Sequence, residues 1–197
     1  MEKSMSTDFK IVEEPKQPIS MNPKKFGLWL FIGSVVMLFA AFTSAYIVRQ
    51  AEGNWLVFEL PTLFTISSIV IFISSITMHG AYLAAKKDNL ETVKILITIT
   101  TVLGLVFLVL QFEGWQDLVS RQVYLVGNPS GSFLYIITGL HGLHLISAII
   151  FLLIVMVSTY RYQVHSKSLN QIEMCVTYWH FLGGLWLYLF VFLLLYR

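Results

Sequence analysis

Residues 133–160 read FLYIITGLHGLHLISAIIFLLIVMVSTY, and this stretch contains no aspartate, glutamate, lysine or arginine. An α-helix rises about 1.5 Å per residue, and about 20 mostly apolar residues are enough to cross the hydrocarbon core of a bilayer. The stretch therefore predicts a transmembrane helix, the fourth of five such segments along the chain.

Four further apolar runs flank this one. They span residues 26–48, 62–85, 93–112 and 175–196. The shortest run includes Lys94, whose long side chain can reach the membrane surface from a helix end. Of all 197 residues, 56% are hydrophobic and 12% are charged, whereas a soluble domain carries about 25% charged residues. The predicted fold is an all-α membrane protein, with a bundle of five transmembrane helices over residues 26–197.

Residues 1–25 differ from the rest of the chain. They mix charged residues with Pro15, Pro18 and Pro23, and they lack the apolar core of a cleavable signal peptide. We expect a flexible cytoplasmic tail, followed by a first helix that serves as an uncleaved anchor. The single cysteine, Cys175, excludes an internal disulfide, a covalent haem-attachment motif and a cysteine pair for a dinuclear copper site.

The basic residues predict the orientation of the helices. If the N-terminus lies inside, ten lysine and arginine residues fall in inside segments and three in outside segments. The inside set is Lys3, Lys10, Lys16, Lys24, Lys25, Lys86, Lys87, Lys94, Arg161 and Lys167, and the outside set is Arg49, Arg121 and Arg197. Lysine and arginine concentrate in the cytoplasmic segments of membrane proteins. We therefore expect a cytoplasmic N-terminus and a periplasmic C-terminus.

Residues 113–132 predict the longest connection between two spans. The segment ends in the turn-forming sequence Gly-Asn-Pro-Ser-Gly. Before that turn, Trp115, Leu118, Val119 and Val123 recur at helical spacing. This pattern predicts a short helix that lies in the outer membrane interface, separate from the third span.

His141 and His144 are ionisable residues within the fourth span. They are three residues apart, so they lie on one face of the helix. No acidic residue in this span could complete a metal site, and hydrogen bonding between helices is the expected role. Glu113 closes the third span about 13 Å above His141, so contact between the two requires an intermediate such as Gln111 or Tyr135. We expect Glu113 and the two histidines to hold the third and fourth spans together.

His79 and His180 lie at matching depths, about 8 Å from the inner membrane edge. A bis-histidine haem requires two imidazoles at one depth, so a haem between His79 and His180 is an alternative. The neighbouring side chains are bulky, namely Thr77, Met78, Tyr178 and Trp179. They crowd the space between the rings, and we therefore expect no haem or metal in this chain.

Several motifs in this order resemble subunit III of the haem-copper terminal oxidases. They are Lys25-Phe26-Gly27-Leu28-Trp29, Leu103-Gly104 with Phe107, Gln111 and Glu113, Thr138-Gly139-x-His141-Gly142-x-His144, and Tyr178-Trp179-His180-Phe181 preceded by Glu173. The resemblance covers residues 24–197. Within the family, the chain resembles the five-helix bacterial form. Two positions depart from the family pattern, because Val35 and Gly183-Gly184 stand where many members carry an acidic residue. These departures weaken support for a proton pathway through this chain.

The resemblance implies an accessory subunit without haem or copper of its own. Haem and copper would belong to partner subunits I and II of a cytochrome c oxidase in the bacterial inner membrane, which reduces oxygen to water and pumps protons. The chain would stabilise the catalytic subunit, bind phospholipid and support proton uptake. The implied structural motif is Glu113, His141, His144, Glu173 and His180, and the implied lipid headgroup contacts are Lys25, Trp29, Arg161 and Lys167. Cytochrome c or a respiratory supercomplex would contact other subunits, and no nucleic acid is expected.

Two alternatives stay open from the sequence. Subunit III of a quinol oxidase or of a nitric oxide reductase complex would carry the same motifs, because the electron-donor site lies on other chains. A stand-alone transporter or b-type cytochrome is the alternative from another class. The spans lack the paired charges that transporters place at mid-membrane, and no internal repeat is evident, which favours the accessory role.

Overall fold

The computed structural model describes residues 22–160 and 169–196, and this part of the chain consists of five α-helices and their connections. The helices are α1 (Pro23–Ala51), α2 (Thr62–Lys86), α3 (Leu90–Ser120), α4 (Pro129–Tyr160) and α5 (Asn170–Leu195). All five are long and apolar enough to cross a membrane. The predicted all-α membrane fold with five spanning helices is confirmed, whereas the orientation of its termini stays a prediction.

Asparagine side chains cap three of the helices. Asn22 Oδ1 accepts a hydrogen bond from the Lys24 amide at the start of α1, and Asn89 Oδ1 accepts one from the Thr92 amide at the start of α3. Asn128 Oδ1 accepts one from the Ser130 amide, immediately before α4. These side chains satisfy backbone N–H groups that have no partner inside a helix. The predicted Gly-Asn-Pro-Ser-Gly turn therefore marks the start of α4.

The separate interfacial helix predicted around Trp115 is wrong. The structure continues α3 without a break as far as Ser120. Gly114 does not end the helix but is a site of close packing, since a Cβ atom there would lie 2.6 Å from the Phe64 ring. Because Leu118 is buried in the core and Trp115 reaches α4, helical continuation buries apolar surface that an interfacial helix would leave exposed.

Four helices form a ring in which each packs against two neighbours, and α1 lies outside it against α4 and α5. The contacting pairs within the ring are α2 with α3, α3 with α4, α4 with α5, and α5 with α2. Helix α2 runs antiparallel to α3 and to α5. Hydrogen bonds between Thr77 and Thr100 and between Tyr82 and Glu173 fix the two registers. Helices α4 and α5 each contact three other helices, because both also pack against α1.

Two tryptophan–serine hydrogen bonds join α5 to α2. Trp179 Nε1 donates to Ser74 Oγ at 3.1 Å, and Trp186 Nε1 donates to Ser68 Oγ at 2.9 Å. Both indoles are fully buried. Ser68 and Ser74 are six residues apart on α2, and the two indoles are seven apart on α5, so each buried N–H finds an acceptor near its own level.

Candidate functional site

His141 lies in an aromatic cage at the centre of the bundle and is completely buried. Its ring centroid is 6.5 Å from that of Phe39, 6.0 Å from Phe107 and 5.2 Å from Trp186. Among the described residues, neither of its ring nitrogens has a hydrogen-bond partner. His141 therefore contacts its neighbours through ring packing, and the hydrogen bond expected between helices is not found there.

His144 faces α1 and α5. Its Nδ1 hydrogen-bonds to the backbone oxygen of Leu140 at 2.7 Å, and its ring lies 5.7 Å from Phe39 and 6.2 Å from Phe31. The hydroxyl of Tyr178 on α5 donates to the backbone oxygen of His144 at 3.2 Å. The two histidines of α4 thus come together with α1 and α5, and Phe107 is the α3 residue whose ring contacts His141 among the described residues.

Glu113 is exposed on α3, and it makes no hydrogen bond or ion pair with the described residues. The contact between α3 and α4 is made by other side chains. Trp115 Nε1 donates to Thr138 Oγ1 at 3.1 Å, and the Tyr135 hydroxyl donates to the backbone oxygen of Val123, three residues beyond the end of α3, at 2.9 Å. Thr138, which accepts the hydrogen bond from Trp115, belongs to the Thr-Gly pair of the fourth-span motif. That pair was the feature of the sequence from which this contact could have been predicted.

Gln111 joins α3 to α2 rather than to α4. Its Nε2 donates to Ser67 Oγ at 2.8 Å, while its Oε1 has no partner among the described residues. The intermediate role predicted for Gln111, between Glu113 and His141, is therefore not what the structure shows. Tyr135, the other proposed intermediate, does contact α3 through the backbone oxygen of Trp115 at 3.3 Å.

Glu173 connects three helices near their cytoplasmic ends in the predicted orientation. Its Oε2 lies 2.6 Å from Lys25 Nζ of α1, and its Oε1 accepts a hydrogen bond from the Tyr82 hydroxyl of α2 at 3.2 Å. A hollow of about 150 Å³ lies beside this ion pair and is lined in part by Trp29 and Thr177. The sequence placed Glu173 in a structural motif and Lys25 in a lipid site, and the structure brings the two together.

His180 and His79 lie side by side on the surface of the bundle, where α5 meets α2. Ser75 Oγ hydrogen-bonds to Nδ1 of His180, and the His79 and His180 ring centroids are 5.8 Å apart. Among the described residues, no group of three or more histidine, cysteine, aspartate or glutamate side chains could hold a metal ion. Arg161 and Lys167, the other residues predicted to contact lipid, lie outside the described residues.

Several of these polar side chains, such as Trp115, Glu173 and Gln111, join one helix to another, and the five helices define a multi-pass membrane protein. A family model described as cytochrome c oxidase subunit III matches residues 14–197. The chain therefore belongs to the cytochrome c oxidase subunit III family, and it is an accessory subunit of a haem-copper oxidase. The resemblance seen in the sequence motifs is confirmed by this match.

Curated relatives include both cytochrome c and quinol oxidase subunits. The chain is 24% identical to cytochrome bo(3) ubiquinol oxidase subunit 3 of Buchnera aphidicola (subsp. Schizaphis graminum), over 88% of this chain and 94% of the relative. It is 26% identical to cytochrome c oxidase subunit 3 of Alkalihalophilus pseudofirmus, over 95% and 94% respectively. It is 28% identical to cytochrome c oxidase subunit 3 of Mus musculus, over 88% and 70%.

Proposed function

We propose that this chain is subunit III of a respiratory cytochrome c oxidase in a bacterial inner membrane. Subunits I and II of the complex carry haem and copper and perform oxygen reduction coupled to proton pumping. This chain stabilises the catalytic subunit and supports its proton uptake. The observation that carries the proposal is the family match over residues 14–197, which includes every described helix.

The structure supports a stabilising role through the way in which its helices are joined. Helix α5 is tied to α2 by the Trp179 and Trp186 indoles and to α1 by the Lys25–Glu173 ion pair. The indole hydrogen bonds are buried and the ion pair is partly exposed, and such contacts between side chains hold neighbouring helices in one relative position. A subunit built in this way presents a fixed surface to its partners, as a supporting subunit requires.

Phospholipid is part of the proposal. Lys25 is near the start of α1, and Trp29, one turn later, is 61% exposed. A tryptophan beside a lysine at a helix end is typical of the membrane interface, and a basic residue there contributes about 1 kcal/mol towards an anionic headgroup. Because Glu173 already neutralises part of the Lys25 charge, the headgroup would be held more weakly here than by an unpaired lysine.

The assignment to a cytochrome c oxidase is tested on the intact complex. An affinity tag on this chain should recover an oxidase whose reduced-minus-oxidised spectrum contains haem bands and which oxidises reduced cytochrome c. Recovery of a complex that oxidises quinol and lacks the copper-binding cysteines of subunit II would instead establish the quinol oxidase alternative. Recovery of a nitric oxide reductase would establish that the chain is subunit III of a nitric oxide reductase complex.

The stand-alone alternatives are tested on the isolated chain. The accessory role predicts no haem absorption from the purified subunit alone. A reduced-minus-oxidised haem band from the isolated chain would identify a b-type cytochrome and contradict the proposal.

A further inference from the structure

Two polar stripes face outward along the line where α2 meets α5. Ser75, His79 and Tyr82 recur on α2 at spacings of four and three residues, so they lie on one helix face. Glu173, Thr177 and His180 have the same spacings on α5. All six side chains are exposed or half-buried. We call this pair of stripes the α2–α5 seam.

Neighbouring side chains along the seam are in contact. The Tyr82 hydroxyl donates to Glu173 at 3.2 Å, and the Tyr82 ring lies 6.3 Å from that of His79. His79 lies 5.8 Å from His180, whose Nδ1 is hydrogen-bonded to Ser75. The seam is thus one continuous polar strip that begins at Glu173 and ends at Ser75.

The upper part of this strip lies at membrane depth. His180 is seven residues beyond Glu173 on α5, and His79 is seven residues before Lys86 on α2, so each lies about 10 Å from a charged residue at the helix end. The exposed residues of α2 beside the seam are apolar, with Phe72 57% and Ile76 59% exposed. Ionisable groups at such depth normally face protein or water, because lipid tails cannot hydrogen-bond to them.

The two imidazoles of the seam have ring nitrogens without a hydrogen-bond partner among the described residues. Nδ1 of His180 is hydrogen-bonded to Ser75, which leaves its Nε2. His79 makes no hydrogen bond with the described residues, so both of its ring nitrogens are available. A polar group is therefore required opposite the two imidazoles.

Gly184 lies one turn beyond His180 on the same face of α5. It is exposed, and a Cβ atom there would meet nothing within 4 Å. Packing inside this chain therefore gives no reason for a glycine at this position. Small residues on membrane helices allow the backbone of another helix to approach closely.

We propose that the α2–α5 seam binds a transmembrane helix of the catalytic oxidase subunit. That helix carries a polar side chain that hydrogen-bonds to His79 and His180, and its backbone packs against Gly184. The proposal rests on the proposed function as an oxidase subunit. Lipid cannot replace this partner, because its tails offer no acceptor at the depth of the imidazoles.

The steric part of the proposal is tested with Gly184→Leu in the complete oxidase, recovered through a tag on this chain in mild detergent. The Cβ atom of that leucine meets nothing in this chain within 4 Å. We expect the variant to insert into the membrane at the wild-type level and to recover little haem. Gly33→Leu is the matched control, since Gly33 is also an exposed helical glycine with nothing within 4 Å. It should recover the oxidase as the wild type does.

The polar part is tested with His79→Leu and His180→Leu, each expected to reduce the haem recovered roughly three- to thirtyfold, the range that one interhelical hydrogen bond in a membrane supplies. A photo-cross-linking residue at position 79 should give an adduct with the catalytic subunit. Adducts with lipid only, or with a second copy of this chain, would overturn the proposal, as would full haem recovery by Gly184→Leu. If the wild-type chain recovers no haem protein at all, the proposed function itself fails.

Discussion

The terminal ring carbon of Trp179 would lie 2.7 Å from a Cβ atom built on Gly104, so the indole of α5 occupies the place of a side chain on α3. Helix α3 and helix α5 are opposite members of the ring, and this tryptophan crosses the bundle between them. The same indole donates to Ser74 of α2. One side chain thus sets the spacing of three helices.

Gly104→Ala should destabilise the subunit, because the added methyl group overlaps a buried indole that is held by its own hydrogen bond. Overpacking of this kind costs about 1–3 kcal/mol. Thermal unfolding in detergent should show a lower transition temperature than in the wild type. Gly142→Ala is the control, since a Cβ atom there meets nothing within 4 Å. Equal transition temperatures for the two variants would contradict the assigned role of Trp179.

The hydrogen bond between Trp186 and Ser68 should be measurable by a double-mutant cycle. Trp186→Phe and Ser68→Ala each remove one partner, and the double variant removes both. Interhelical hydrogen bonds in membrane proteins average about 0.6 kcal/mol, and we expect a coupling energy of that order. The cycle is followed by chemical or thermal unfolding. Strictly additive effects would show that the two groups do not interact.

The ion pair between Lys25 and Glu173 should contribute modestly, because both side chains are about one-third exposed. Glu173→Gln is expected to lower the free energy of unfolding by less than about 1 kcal/mol. The exchange Lys25→Glu with Glu173→Lys should recover part of this loss, since the charges again attract. Recovery should be incomplete because a lysine at position 173 cannot accept the hydrogen bond from Tyr82. A fully restored transition temperature would argue against the Tyr82 contact.

Replacement of His141 by leucine should leave the subunit attached to the oxidase. The ring nitrogens of His141 have no partner among the described residues, so no polar group is left unpaired, and leucine has a similar volume. Haem recovery and the haem spectrum of the complex should therefore match those of the wild type. Loss of a haem or copper signal in this variant would identify His141 as a ligand and contradict the accessory role.

The predicted topology is open to a direct labelling experiment. A cysteine at Gly127, between α3 and α4, should react with a membrane-impermeant maleimide added from the periplasmic side. A cysteine at Asp88, between α2 and α3, should not react. The native Cys175 is buried and provides the unreactive background. The reverse pattern of labelling would place the N-terminus outside.

The five helices were predictable from the sequence because their apolar runs match the thickness of a membrane. The length of α3 was not, because Gly114 has two readings: a glycine ends a helix when its backbone turns, and it continues one when another side chain fills its place. Only the position of Phe64, fifty residues earlier, distinguishes the two.

For the site residues, too, part was predictable from the sequence and part was not. The sequence identified His180 and His141 because ionisable groups are rare in apolar runs, and it identified Glu173 through the resemblance to the family. It could not assign their partners. Lys25 and Glu173 are 148 residues apart along the chain, and their proximity depends on α1 lying parallel to α5. The relative rotation of packed helices decides such contacts, and no local pattern encodes it.

The two indole–serine hydrogen bonds, Trp179 with Ser74 and Trp186 with Ser68, restrict how α5 and α2 can slide past each other. A shift by one helical turn, about 5.4 Å, would move both buried indole N–H groups away from their acceptors. The same shift would separate Glu173 from Tyr82. Because unpaired polar groups are costly inside a membrane, these three hydrogen bonds together fix the register of the two helices.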